Sequence, residues 1–464
     1  MEKREKVMNK NKNENAIGIG KFWAWNSRAI SVAAWLMIIS YLNIYCTDIL
    51  HLSPGILGVL LMASKLFDGV TDMIAGFLVD RTKTPLGKGR PYELAIVGLW
   101  LCTMFMFSTP TNWSEIAKYV WVLTMYILSN AVFHTFLNAS NTVYMVRAFN
   151  NQQKYVKLSS LGGIVTTAGA MIVSVTMPMI IAQIGYEAEP WKRMIAAYSI
   201  PLMIIGLMRF VFIKEEHDVV AVDENGEEQK VDFTSLKLLL RQNKYIYPML
   251  LASLLLNFIA NMGGASYYYS YVFGNIGIMS LTGILSVVCL PLMAFFPKIL
   301  KRMSLSNFIA CGSLITVVGV LGIGFAGKNV VLLVIANIIY GLGNLMAQMM
   351  LALMIVDCAE YNEYKGMPRM EGVMNSIYGL AGKIGSAVGT GVFGILLSIA
   401  GYDATKEVTN SVLNMIRFGY IYLPAILFLI IAITMHSNKL GDSIEEIRKV
   451  NKERRNELHN KSSN

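Results

Sequence analysis

The stretch Leu60–Lys83, LLMASKLFDGVTDMIAGFLVDRTK, decides how this chain is read. It is apolar enough to lie in a membrane, yet it carries Lys65, Asp68 and Asp72 in its middle. Their i, i+3, i+7 spacing puts all three on one face of a helix. An ionisable side chain inside a membrane span is costly, so one kept there marks a functional site by default. Asp48 and Asp80 lie near helix ends and reach interfacial water, whereas Asp68 and Asp72 do not. Two carboxylates one turn apart repel, so one takes up a proton or a cation comes between them. The pair suits a proton or a small cation such as Na⁺, with Thr71 as a neutral oxygen ligand. Lys65 then neutralises one carboxylate when no cation is bound. The competing reading is an ion-pair cluster that only fixes helix packing, and it is the weaker one because buried pairs are poor stabilisers.

The rest of the chain agrees with a membrane setting. Of its 464 residues, 55% are hydrophobic and only 15% charged, and the mean hydropathy is +0.49. Soluble proteins carry about a quarter charged residues. Apolar runs occupy 22–48, 53–79, 92–110, 117–141, 158–185, 191–213, 243–272, 276–297, 305–327, 329–356, 371–400 and 411–436. Each is long enough to cross a bilayer as a helix, which satisfies its own backbone hydrogen bonds. The expectation is an all-α polytopic membrane protein with twelve transmembrane helices in two six-helix bundles, 22–213 and 243–436. A charged linker, 214–242, joins them, and its EEHDVVAVDENGEEQ run cannot pack in lipid. Two such halves suggest the parallel repeats of secondary transporters.

The five cysteines show no paired spacing, and none of the five histidines sits in a metalloenzyme pattern such as HExxH. Neither a disulfide framework nor an enzyme is indicated, and no cofactor beyond a coupling ion. The net charge of +10 invites a nucleic-acid reading. Its distribution removes that reading, because about 30 of the 40 basic residues fall in the N-terminal segment, the C-terminal tail and the loops after even-numbered spans. By the positive-inside rule these regions are cytoplasmic. The segment 1–21 and the tail 437–464 are therefore expected inside, the tail as a charged segment that is either a helix at the membrane surface or, as the blander reading, simply solvated. The setting is the plasma membrane, and the partners are the bilayer and a small solute carried by a monomer.

Further charges within the spans include Arg28, Arg209, Lys383 and Arg417. Arg209 and Arg417 lie near span ends and are expected to snorkel to the interface. Lys383 sits in YGLAGKIGSAVGTGVFG, whose small residues suit close helix packing. In the fourth span Asn130, His134 and Asn138 form an i, i+4, i+8 polar stripe that faces water or a solute. In the seventh, NMGGASYYYSYVFGN joins the bending residues Gly263 and Gly264 to Tyr267 and Tyr268. Tyrosines there either mark the interface or stack on a polar solute.

After the second span comes GFLVDRTKTPLGKGRPY, Gly76–Tyr92, with Gly76, Asp80, Arg81, Gly87, Lys88 and Arg90 in the order of the cytoplasmic signature of the major facilitator superfamily. With FDGVTD before it, the block resembles the glycoside–pentoside–hexuronide:cation symporters, the family of the melibiose permeases. A second block, VDCAEYNEY with GMPRMEG and KIGSA, resembles the same family between its tenth and eleventh helices. The resemblance implies a major facilitator fold and cation-coupled sugar symport by alternating access. It implies that Asp68 and Asp72 are the paired cation-site aspartates, that Lys383 is the lysine near them, and that Lys65 stands where an arginine is common. Gly76, Asp80, Arg81, Lys88, Arg90, Asp357, Glu360, Arg369 and Glu371 fall on the family's cytoplasmic gating segments.

The departures bear on the cargo. Met73 replaces a common proline, Thr71 a common asparagine, and Arg28 and Val32 stand where acids or amides are frequent. The family's sugar-binding aspartate is matched by Asn130, its stacking tryptophan by His134, and a basic residue near the start of the fifth helix by Lys157. Loss of acids with gain of Arg28 and His134 points away from melibiose and towards an anionic solute such as a hexuronide. The alternatives are a same-family carrier of a lysolipid and a non-transporting sensor of the same fold.

Overall fold

Runs of apolar residues broken by Gly, Pro, Asn and charged loops give a chain that is helical throughout. The computed structural model describes residues 17–149, 152–216, 241–288, 291, 295–300 and 302–462. Apart from an isolated bridge between Thr84 and Gly87, every regular element among them is a helix. Contacts divide the chain into two compact units. One contains the described residues up to 216 together with 275–280 and 403–407, and the other contains the remainder.

In the first unit the main helices are α1 (Ile19–Ile39), α2 (Pro54–Arg81), α3 (Ala95–Met106), α4 (Glu115–Phe149), α5 (Gln152–Ile184) and α6 (Ala188–Phe212). The second has α7 (Ile246–Ala260), α8 (Met279–Val288, of which the first two residues belong to the first unit), α9 (Leu305–Ala326) and α10 (Val330–Leu351). It continues with α11 (Met354–Tyr364), α12 (Glu371–Ile399), α13 (Asn410–His436) and α14 (Leu440–Ser462). Helix starts carry the expected caps: Ser114, Ser304, Asn329 and Thr409 each accept a backbone N–H of the first turn.

Among the described residues seven helices are long and apolar enough to cross a membrane, and nine when each of two bent pairs counts as one. The first bent pair is α1 with Leu42–Ile49, the second α7 with Ala265–Phe273. The second breaks where bending is expected, with Gly263 at φ +67°, a left-handed conformation that costs glycine nothing. Of the other expected spans, α3 is a helix of only 12 residues, while those over α2 and α8 include residues outside the described ones. Large apolar side chains such as Phe325, Val331 and Ile116 are 83%, 70% and 76% exposed. Side chains of this kind are at home in lipid rather than water.

Small residues fix the tightest approach in the second unit. A Cβ at Gly385 or Gly389 of α12 would run into the backbone carbonyl oxygens of Leu254 and Phe258 on α7. The GxxxG spacing therefore brings two backbones into contact.

The tail is a helix, as one of its two readings had it, but it is packed into the second unit rather than merely solvated. It is helical as α14, and Leu440, Ile444 and Ile447 are buried in the core of the second unit. The i, i+4, i+7 spacing of these three residues, continued by the fully buried Asn451, makes an inward face on an otherwise charged helix.

Candidate cation and solute site

In the first unit α2 presents Lys65, Asp68, Thr71 and Asp72, all partly buried. Thr71 donates its hydroxyl to the backbone carbonyl of Asp68 (3.1 Å), so its lone pairs are left to accept. Two carboxylates and a hydroxyl are the oxygen donors that hard cations take. Tyr126 of α4, 2% exposed, lies within the electrostatic reach of Asp68. His134 lies in the fields of Arg28, Asp72 and Lys65 together. Its ring rests on Trp35 of α1, with centroids 5.1 Å apart, and its Nε2 is 3.2 Å from Nδ2 of Asn138. Trp35 is held in turn by donating Nε1–H to Thr103 on α3 (2.9 Å). Residues of α1, α2 and α4 thus converge on one polar, charged locus.

The polar stripe of the fourth span is not continuous. Residues Leu128–His134 form a π-helical turn within the fourth span. Asn130 is 8% exposed and donates to the carbonyl of Tyr126 in its own helix. Of the three residues read as one stripe, only His134 and Asn138 meet.

Arg28 is also placed differently from a solute ligand. It is 5% exposed, and its guanidinium donates to the carbonyl of Leu137 and to Oδ1 of Asn141 (2.7 Å). Its Nε lies 3.6 Å from Oε2 of Glu93. Glu93 is fully buried and has a second arginine, Arg209, 3.5 Å from its other oxygen. Arg209 does not snorkel. It is 1% exposed, stacks at 3.3 Å over the ring of Trp25, and donates to the same Asn141 Oδ1 (3.0 Å). An inward carboxylate and aromatic faces hold it inside, which its position in the sequence did not reveal.

The loop after α2 has a carboxylate at its centre. Glu215, at the end of the α6 segment, accepts from the backbone N–H groups of Lys88 (2.8 Å), Gly89 (2.7 Å) and Arg90 (2.7 Å). Arg90 also donates Nε–H to the carbonyl of Phe210 (3.0 Å). Gly87, at φ +114°, has a backbone that only glycine adopts readily, and a Cβ there would strike the Glu215 carboxyl. This nest of N–H groups explains the spacing of GKGR. Gly76 has open space around it on α2, and Arg81 lies over its own helix's Phe77 at 3.9 Å. The side chain of Asp80 lies outside the described residues.

The other residues expected to gate cluster within the second unit. Arg369 bridges Glu360 and Glu363, each at 2.8 Å, and Glu371 at 2.6 Å. Hydrogen bonding to Glu360 pushes its guanidinium still further up from the ordinary arginine range. From the tail, Arg448 reaches Asp357 (2.6 Å), Asn451 donates to Glu360 (2.8 Å), and Arg455 reaches Glu360 (3.0 Å) and Glu363 (2.5 Å). Tyr267 and Tyr268 are 1% and 2% exposed. The first is packed against Phe393 and Tyr402, and the second stacks on Tyr420 and donates to the carbonyl of Ile323. That is interior packing, in contrast to the solute-facing role expected of them. Lys383 lies exposed on α12 and Lys157 exposed on α5.

Glu93, Asn141, Arg209 and Glu215, together with tail residues 448, 451 and 455, were not foreseen as partners. Only the apolar spacing of the tail was visible beforehand as a signal.

Residues 29–442 match the family model described as MFS/sugar transport protein. The chain is 27% identical over 422 residues to the isoprimeverose transporter of Lactiplantibacillus pentosus, covering 88% of this chain and 86% of that protein. It is 23% identical over 404 residues to the glucuronide carrier protein homolog of Escherichia coli (strain K12), covering 84% and 86%. Among solved structures it resembles the nucleoside transporter NupG, with a TM-score of 0.59 at 15% identity over 93% of this chain and 100% of that one. At that identity the likeness speaks for the fold alone.

Proposed function

Because the chain belongs to the MFS/sugar transport family, in the branch of the glycoside–pentoside–hexuronide:cation symporters, we propose that it carries a sugar, glycoside or sugar acid across the plasma membrane by cation-coupled symport. The single observation that carries this reading is the charged face of α2, with Lys65, Asp68, Thr71 and Asp72, of which Lys65 and Asp72 act on His134 and its Trp35 support. The wider frame is a multi-pass, all-α major facilitator protein with twelve crossings, cytoplasmic termini and two bundles at 22–213 and 243–436.

The coupling follows from charge. With no cation bound, Asp68 and Asp72 repel and Lys65 answers one of them. A bound Na⁺ or H⁺ neutralises the pair and releases Lys65. The site then becomes more positive, which raises its affinity for a polar or anionic solute. The same linkage raises cation affinity when solute is bound. A lone uncompensated charge in a closed, dry site is costly, so only the doubly loaded and the empty carrier reorient readily. Reorientation by alternating access then delivers both. The solute contacts are assigned to His134 and Asn138, with Asn130 and Lys157 flanking. Arg28 contributes positive potential through its buried cluster rather than a direct bond. Such a setting favours a sugar acid over a neutral glycoside, in keeping with the similarity to a glucuronide carrier homolog.

The test is uptake of a labelled panel by proteoliposomes, with Na⁺, Li⁺ and pH gradients imposed separately. The panel holds isoprimeverose, a β-glucuronide, an α-galactoside and a lysolipid. One gradient is expected to drive accumulation of the sugar acid above its external level. Accumulation of the lysolipid alone, or none with any gradient, overturns the proposal.

A further inference from the structure

The cluster around Glu93 carries an imbalance. Two guanidiniums, Arg28 and Arg209, face one carboxylate, and all three are buried: 5%, 1% and 0% exposed. Asn141 is shared between the arginines and adds no charge. One unit of positive charge therefore remains inside the first unit. Lys65 with Asp68 and Asp72 has the opposite imbalance, one unit of negative charge. The two clusters adjoin, since His134 stands in the fields of Arg28, Lys65 and Asp72 at once. Moreover, Trp35, seven residues after Arg28 on the same face of α1, supports the His134 ring.

We infer that Glu93 is a positioning residue that sets the cation affinity of the Asp68/Asp72 pair, by holding Arg28 and Arg209 and cancelling one of their two charges. This inference rests on the cation-coupled reading. Lys65 on their own helix and Tyr126 and His134 from α4 stand in the field of the pair, and Arg28 from α1 acts on the same His134. Fixed charges in a low-dielectric interior act over several ångströms with little screening. Neutralising Glu93 adds a positive charge to the surroundings and repels the incoming cation. Neutralising Arg209 removes one and draws the cation in. A cluster that served packing alone would give no such opposition of sign, because either substitution would only loosen the fold.

The experiment titrates the purified full-length protein with Na⁺ and Li⁺ at fixed pH, by calorimetry and tryptophan fluorescence. Proton uptake in weakly buffered solution serves as the third arm. Glu93→Gln is expected to weaken cation binding about tenfold and Arg209→Gln to tighten it about tenfold, the scale of one added charge near a partly buried site. The double variant is expected to return to within about twofold of the wild type, and Glu93→Asp, which keeps the charge, to bind as the wild type does. Should Glu93→Gln fail to fold, the direction for Arg209→Gln alone decides. Shifts of the same sign in both single variants, or none, overturn the inference while leaving coupled symport standing. A wild-type protein that binds none of the three cations overturns both.

Discussion

Replacing Glu215 separates geometry from charge at the loop after α2. One carboxylate oxygen accepts from Gly89 and Arg90 at 2.7 Å, and the other accepts from Lys88 at 2.8 Å. The Glu215 side chain is 5% exposed, and Arg147 stands 4.0 Å from it. Glu215→Ala removes all three acceptors. The amides of Lys88 and Arg90 are half-buried and recover water, whereas Gly89 is buried and its N–H stays unmet. An orphaned buried donor costs about 1–3 kcal/mol, and each charge-assisted bond lost to water about 1 kcal/mol more, for a total of about 3–5 kcal/mol. Glu215→Gln keeps one oxygen for Gly89 and Arg90 but turns an NH₂ towards the Lys88 N–H, so its cost is about 2 kcal/mol. Glu215→Asp keeps the charge but is one methylene too short to span the nest, and it should behave like alanine. For a unit of about 200 residues these values correspond to drops in Tm of roughly 10 °C for Ala and Asp and roughly 5 °C for Gln. Thermal unfolding in detergent, with proteolysis of the 83–91 loop as a local probe, measures the order. An aspartate variant as stable as the wild type, with glutamine as damaging as alanine, would show that charge alone matters and refute the nest.

Three further outcomes follow from packing elsewhere. Gly385→Ala should cost about 2 kcal/mol by forcing α12 off the α7 backbone. By contrast Gly379→Ala, with open space at its Cβ, should be neutral or stabilising by up to about 1 kcal/mol, and thermal unfolding compares the two. Deleting residues 440–462 strips Arg448, Asn451 and Arg455 from Asp357, Glu360 and Glu363 and uncovers the surface that buries Leu440, Ile444 and Ile447. Hydrogen exchange should rise along 354–371 and stay unchanged along α1. Arg28→Ala leaves Glu93 paired with Arg209 but takes the donor from the buried Leu137 carbonyl, and should lower stability by about 2 kcal/mol; a loss under about 0.5 kcal/mol in chemical unfolding would remove Arg28 from the cluster.

The helical class and the charged face of α2 were legible because they depend on local spacing. Apolar runs of bilayer length and charges at i, i+3, i+7 are properties of a few adjacent turns. What was not legible depends on residues far apart in sequence. Arg209 reads as a residue near a helix end, and only Glu93 and Trp25, brought to it by folding, make it interior. Glu93 reads as one more charge after a basic loop. Asn130 shares a period with His134 and Asn138, yet it is buried and bonds within its own helix, which spacing alone does not reveal. Tyr267 and Tyr268 match an interface belt or a solute wall equally well until Phe393, Tyr402 and Tyr420 fill the space around them. The tail misleads through composition: its charges dominate the average, while three apolar residues and one asparagine decide where it lies.

The central claim is that Asp68 and Asp72 couple the cation to the solute. Proteoliposomes holding Asp68→Asn or Asp72→Asn protein separate that role from solute recognition, because exchange of labelled for unlabelled solute needs no net cation flow. The account predicts that uphill accumulation under the effective gradient is lost in both variants while solute exchange persists. Undiminished accumulation in either variant would contradict it.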